Sequence, residues 1–142
     1  MQIICIDTGV LSIYFSKDIT KEVSDLIDKV KKGIVEAHIL KPVLVEVFHH
    51  LCRVKGLDFA KTTIVSFMNQ VPFKEIDLNT PLIIKAGTLK CQNPKKLSYI
   101  DCMCIAYALN MKIPLHTTEK TLNKLAGTNL QNLKTVKYSF ID

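Results

Sequence analysis

The chain has 142 residues, 48% hydrophobic and 23% charged; a domain of that length buries roughly 68 to 70% of its unfolded surface, which excludes intrinsic disorder and removes any need for a disulfide staple. Eighteen lysines and one arginine against 13 acids give a net charge of +6 and a pI near 9.1, favouring an anionic partner such as nucleic acid, although a solvated lysine-rich surface produces the same excess. Five cysteines with no CxxC pair support neither a disulfide framework nor a zinc ribbon and are expected as reduced core residues; without a spanning apolar run or a signal peptide, the chain is expected in the cytoplasm, away from membranes.

In chain order, Gln2 to Ile6 is an apolar, β-branched run that reads as a buried strand and stops at Asp7, with a short helix expected from Thr8 to Phe15. Thr20 precedes a helical pattern of Val23, Leu26, Ile27 and Val30 that ends near Gly33. Ile34 to Leu40 reads as the second strand. Pro42 suits a first helical turn, and the helix continues through Val43 to Lys55 until Gly56. Asp58 is expected to cap the next helix, which runs to about Gln70. Pro72 to Ile76 reads as a third strand, and Asn79 or Thr80 opens a helix reaching about Lys90. Ser98 caps a helix from Tyr99 to Asn110, and Lys112 to Thr117 reads as a fourth strand. A short helix near Thr121 to Leu125 and a loop from Gly127 to Gln131 then lead to an edge strand at Leu133 to Val136. Strands separated by helices, with a helical pair between the second and third, predict a three-layer α/β/α domain over residues 1–142 with a mostly parallel sheet.

Four acids fall where a strand ends or a helix begins. In an open parallel sheet, ligands bind in the crevice beyond the carboxyl ends of the strands, and acids gathered there repel one another unless divalent cations are present. Asp7 ends the first strand; its alternative role is to cap the short helix that follows. Glu46 sits among Val43, Leu44, Val45, Val47 and Phe48, near the buried face of its helix, with a solvated glutamate as the alternative. Asp101 stands three residues after Ser98, so it also suits a capping box, and both roles are compatible because the positive helix end keeps a carboxylate ionised. Glu119 follows the fourth strand directly, where an acid in a first helical turn is the alternative.

Other constellations fail. There is no HExxH, no glycine-rich phosphate loop and no GxSxG. Glu46 and His49 form one Glu-x-x-His, but a di-iron bundle needs two. His49 and His50 are expected as one packed and one solvated residue, and neither His38 nor His116 has a partner visible in the sequence. The spacing of Cys91, Cys102 and Cys104 matches no common zinc pattern.

Taken together, Ile3-Ile4-Cys5-Ile6-Asp7-Thr8, Val45-Glu46-Val47, Leu97-Ser98-Tyr99-Ile100-Asp101 followed by Ala106 and Ala108, and Leu115-His116-Thr117-Thr118-Glu119 resemble the PIN domain family. In size the chain looks most like the VapC-type toxin ribonucleases of VapBC toxin-antitoxin pairs. The resemblance implies a five-stranded parallel sheet between helices and an acidic pocket that binds Mg²⁺ or Mn²⁺ for RNA hydrolysis. Asp7, Glu46 and Asp101 match the family's three principal acids, and Thr117 matches a small hydroxyl residue two positions before the fourth. Glu119 departs from the pattern by standing where the family usually has aspartate; one extra methylene shifts a ligand by about 1 Å, enough to weaken a site built for the shorter arm, which leaves one or two metals open. Thr8, beside Asp7, is expected to support the site by hydrogen bonding. The implied partners are an RNA substrate, an antitoxin protein and a second copy of the chain in a homodimer, with Tyr14, Phe15 and Leu51 as exposed apolar contacts. The alternative is a PIN-fold subunit that binds RNA or protein and has lost turnover.

Overall fold

The computed structural model describes residues 1–120, 122 and 130–140. The elements are β1 (Gln2–Ile6), α1 (Thr8–Tyr14), α2 (Lys21–Lys31), β2 (Val35–Leu40), α3 (Lys41–Lys55), α4 (Leu57–Gln70), β3 (Lys74–Ile76), α5 (Thr80–Gln92), α6 (Tyr99–Met111), β4 (Leu115–Thr117) and β5 (Thr135–Lys137), with a 3₁₀ turn at Leu130–Asn132. The five strands form one sheet in the order β3-β2-β1-β4-β5, and every pairing is parallel. This is the expected three-layer architecture.

The strand order follows from the connections. Each crossover in such a sheet is right-handed, so stepping outward from β1 to β2 to β3 puts α2 and α3 on one face, where both pack on β2. The chain then returns past β1 to β4 and lays α6 on the opposite face, against β1 and β4. The order reverses between β1 and β4, which opens a crevice beyond their carboxyl ends, the usual ligand position in such sheets. Register places Cys5 beside both His38 and Leu115, and the Asp7 amide donates to the His116 carbonyl at 3.1 Å, so the residues leaving β1 and β4 emerge side by side.

β1 is the centre of the core: Ile4, Cys5 and Ile6 are fully buried. α6 is apolar nearly all round and buries Cys102, Cys104, Ile105, Ala106, Tyr107 and Ala108, as a helix covered on most of its circumference must. Tyr14, Phe15, Phe67 and Phe73 form an aromatic cluster with ring centroids 5.2 to 6.0 Å apart. Tyr14 and Phe15 are therefore half-buried packing residues and Leu51 is buried, correcting the expectation that these three are exposed.

Other differences are local. The N-cap of α4 is Gly56 at φ 92°, not Asp58, which lies in the first turn; Gly56 also ends α3, so two helices share one glycine at a backbone angle side chains rarely adopt. β4 starts at Leu115, three residues later than expected, because Lys112 is the left-handed C-cap of α6 at φ 56°. Cys5, Cys102 and Cys104 are buried free thiols as expected, but Cys91 is exposed. The helix expected near Thr121 to Leu125 and most of the loop after it lie outside the described residues. Among the described residues, no helix is long and apolar enough to cross a membrane.

Candidate active site

Asp7 follows β1 with extended backbone and caps α1, its Oδ1 accepting from the Val10 amide at 3.1 Å. The capping alternative is therefore real, and it coexists with a second contact. The Thr117 hydroxyl donates to Asp7 Oδ2, and the same hydroxyl oxygen accepts from the Glu119 amide at 3.0 Å. A relay from the β4 end to the β1 end thus fixes the Asp7 carboxylate from two sides. Burial nonetheless dominates: it pushes Asp7 up to about 6, against the lowering effect of these hydrogen bonds and with repulsion from Asp101 adding to the rise.

Asp101 forms a complete capping box with Ser98: the Ser98 hydroxyl accepts from the Asp101 amide at 3.0 Å, and Asp101 Oδ2 accepts from the Ser98 amide at 3.2 Å. Its carboxyl is also raised, first by burial, partly offset by the Ser98 hydrogen bonds, and then by repulsion from Glu119 and Glu46. Repulsion from Asp101 thus adds to the rise at Asp7, and repulsion from Glu119 and Glu46 adds to the rise at Asp101. Glu46, on α3, and Glu119 are half-buried.

Close packing holds the crevice together. A Cβ on Gly9 would lie 1.9 Å from Thr118 Oγ1 and 2.9 Å from Thr118 Cβ, so α1 approaches the segment after β4 as closely as only glycine permits. The Thr8 hydroxyl is buried with no hydrogen-bond partner among the described residues.

Among the described residues, no three His, Cys, Asp or Glu side chains lie close enough together to hold a metal ion as they stand. The donor set still fits a hard divalent cation: the carboxylates supply only oxygen, burial and, after it, repulsion from neighbouring acids raise both aspartates, and the orphaned Thr8 hydroxyl adjoins Asp7.

Both strand histidines have partners that the sequence reading missed. His38 is buried, with Nε2 2.6 Å from Glu36 Oε2 and Nδ1 2.6 Å from the Tyr107 hydroxyl. Glu36 and His38 are two apart on one strand, hence on one face, a signal available in the sequence. His116 Nδ1 lies 2.7 Å from the Tyr138 hydroxyl, and burial lowers its pKa to about 4 while raising that of Tyr138 to about 12. His49 and His50 are both exposed, not one packed and one solvated, with His50 Nδ1 3.3 Å from Ser12 Oγ. Beside them, α1, α3 and α4 enclose a groove of about 500 Å³ that includes Phe15, Val47, Leu51, Val54 and Phe59, with Lys17 and Lys55 also in its lining.

Residues 4–128 match the PIN domain family model, most of the chain, and the protein belongs to that family. No curated protein matches the chain by sequence. Among solved structures, a chain of VapBC2 from Rickettsia felis, determined bound to a promoter DNA fragment, superposes with a TM-score of 0.72 at 15% identity, covering 97% of this chain and 100% of that one. A chain of DNA-bound VapBC from Salmonella typhimurium gives 0.67 at 13% identity, with 96% and 98% covered. VapC20 from Mycobacterium tuberculosis, a Sarcin-Ricin loop cleaving toxin, gives 0.64 at 13% identity, with 90% and 92% covered. At these identities the likeness is one of fold.

Proposed function

We propose that the chain, as one functional unit over residues 1–142, is a divalent-metal-dependent endoribonuclease that acts as the toxin of a toxin-antitoxin pair. What supports this reading is membership of the PIN family, together with two aspartates, Asp7 and Asp101, whose carboxyls are raised by burial and further by repulsion, Asp101 acting on Asp7 and both Glu46 and Glu119 on Asp101. Asp7, Glu46 and Asp101 would hold Mg²⁺ or Mn²⁺, with Glu119 as the fourth acid; when bound, the cation supplies charge neutralisation and lowers the pKa of an attacking water.

The protein's own groups set the stage for that chemistry. The Thr117 hydroxyl and the Val10 amide orient the Asp7 carboxylate and oppose the effect of burial on its charge. The Ser98 amide, donating to Asp101 Oδ2, does the same for Asp101 at the positive end of α6. A scissile phosphodiester enters an acidic crevice, which repels it until the acids are neutralised.

The structural neighbours include VapBC complexes, which supports an antitoxin as partner. The apolar groove between α1, α3 and α4 is the surface we assign to it, because Val47 and Leu51 in its wall lie on the helix that carries Glu46. A homodimer is part of the same proposal. The reading is tested by incubating purified chain with mixed RNAs and Mn²⁺. Cleavage abolished by EDTA and by Asp101→Asn supports it. RNA binding without cleavage in any divalent metal supports the second reading, a binding subunit whose Glu119 has altered the site.

A further inference from the structure

Charge is divided unevenly along this chain. Residues 1–77 carry ten basic and ten acidic side chains, whereas residues 78–142 carry nine lysines and three acids, so the whole net charge of +6 belongs to the second part. Two of those three acids, Asp101 and Glu119, belong to the candidate active site. The described portion of this basic part builds α5, α6, β4 and β5, one side of the molecule.

At the end of the α5–α6 pair away from the acids, Lys85, Lys112 and Lys134 converge from α5, the end of α6 and the approach to β5. They line a cleft of about 460 Å³ with Leu109, Ile113 and Asn132. Among the described residues, no carboxylate pairs with any of the three lysines. A cation at a helix C-terminus offsets the negative end of the helix dipole, which accounts for Lys112 and leaves two charges unexplained. At the other end of the same helix pair, Lys90 lies over the Tyr99 ring, 4.8 Å from its centroid. That ring is 68% exposed and two residues from Asp101. Lys90 also donates to the Pro94 and Leu97 carbonyls at 3.0 and 2.6 Å, so it holds the α5–α6 loop, and the exposed Tyr99 ring is what offers an unpaired base a surface to stack on.

We propose that the Lys85–Lys112–Lys134 cleft is a second RNA contact, holding phosphodiester groups of a strand engaged at the acids. It rests on the ribonuclease reading above. Asp101 and Lys112 are eleven residues apart on one helix, about 16 Å along its axis, so one RNA chain spans both. Among the described residues the cleft has no aromatic in its lining, and lysines contacting phosphates carry no base information. It therefore adds affinity without sequence preference and operates without metal.

The test is fluorescence anisotropy of a labelled 20-nucleotide single-stranded RNA in EDTA, repeated across salt concentrations. The Lys85→Gln/Lys112→Asn/Lys134→Gln variant should bind at least about tenfold more weakly at low salt, and the slope of log K against log salt should fall by about 2, for three lost contacts to a single strand. Asparagine at 112 suits the left-handed backbone there, which protects the fold. The control variant Lys21→Gln/Lys29→Gln/Lys32→Gln, in the charge-balanced part, should bind as wild type does. Equal affinity and slope in the cleft variant, equal losses in both variants, or no RNA binding by wild type overturns the proposal. Cleavage by wild type together with unchanged binding by the cleft variant removes the cleft and leaves the nuclease reading standing. Cleft-dependent binding without cleavage removes the nuclease reading and leaves the cleft as an RNA site.

Discussion

The four acids fall into two pairs held in different ways. Asp7 and Asp101 sit at helix starts, each fixed by a backbone amide and a hydroxyl contact within its own cap or from β4. Glu46 stands inside α3, and Glu119 follows β4, both on arms one methylene longer. The short pair is part of the fold's own hydrogen bonding, so its geometry is set whenever the chain is folded; the long pair reaches its carboxylates through one more side-chain torsion. On the proposed reading, structural and chemical roles would be merged in the aspartates and separable in the glutamates.

The strongest test of that division is activity. Asp7→Asn and Asp101→Asn should each lower single-turnover RNA cleavage in Mn²⁺ by about a hundredfold or more, beyond the usual cost of losing a group that merely supports a metal ligand. Asparagine caps a helix as well as aspartate does, so the melting temperature in EDTA at pH 8 should hold or rise. A sharp drop for Asp7→Asn would make this residue a cap alone.

Next is pH. The Asp7 carboxyl is raised from 3.8 to about 6, so between those values the folded protein binds a proton that the unfolded chain does not. Metal-free stability from this group is therefore present at low pH and lost as pH rises through about 6, by on the order of 3 kcal/mol. Chemical denaturation in EDTA from pH 4 to 7 measures it; the same fall in Asp7→Asn would assign the effect to another group.

Removing the relay is a smaller change. Thr117→Val leaves the Glu119 amide and one Asp7 oxygen without their partner, for a loss of about 1 to 3 kcal/mol, read as a shift in urea midpoint. An unchanged midpoint would show that water replaces the hydroxyl.

The longer pair should respond least. Glu119→Asp and Glu119→Gln should each reduce cleavage by about tenfold, and equal activity in both and in wild type would remove this residue from the site. Ser98→Ala, which breaks one arm of the capping box, should cost about 1 kcal/mol; a melting point identical to wild type would show that Asp101 closes the helix start by itself.

Much of this was legible in the sequence because it is written locally. The β1 run, the Thr20, Asn79 and Ser98 caps and the helix-ending glycines place eleven elements to within about three residues. Asp7 and Asp101 could be singled out because cap and crevice coincide where strand gives way to helix. Contacts between distant segments were not legible. Nothing near Gly9 announces that Thr118 will occupy the space of its missing side chain, and nothing near His116 announces Tyr138. The exposure of Cys91 and of both His49 and His50 depends on which helix faces are left uncovered, a matter of packing.

The central position of β1 carries a consequence for when the site exists. Asp7 precedes its partner Thr117 by 110 residues, and its strand is flanked on one side by β4. A nascent chain that has reached Asn110 contains Asp7, Glu46 and Asp101 but neither Thr117 nor Glu119, and one side of the crevice has no wall. Completion of this side of the sheet therefore waits for β4, and the hydrogen bond that fixes the Asp7 carboxylate forms only once a residue 110 positions downstream has been made.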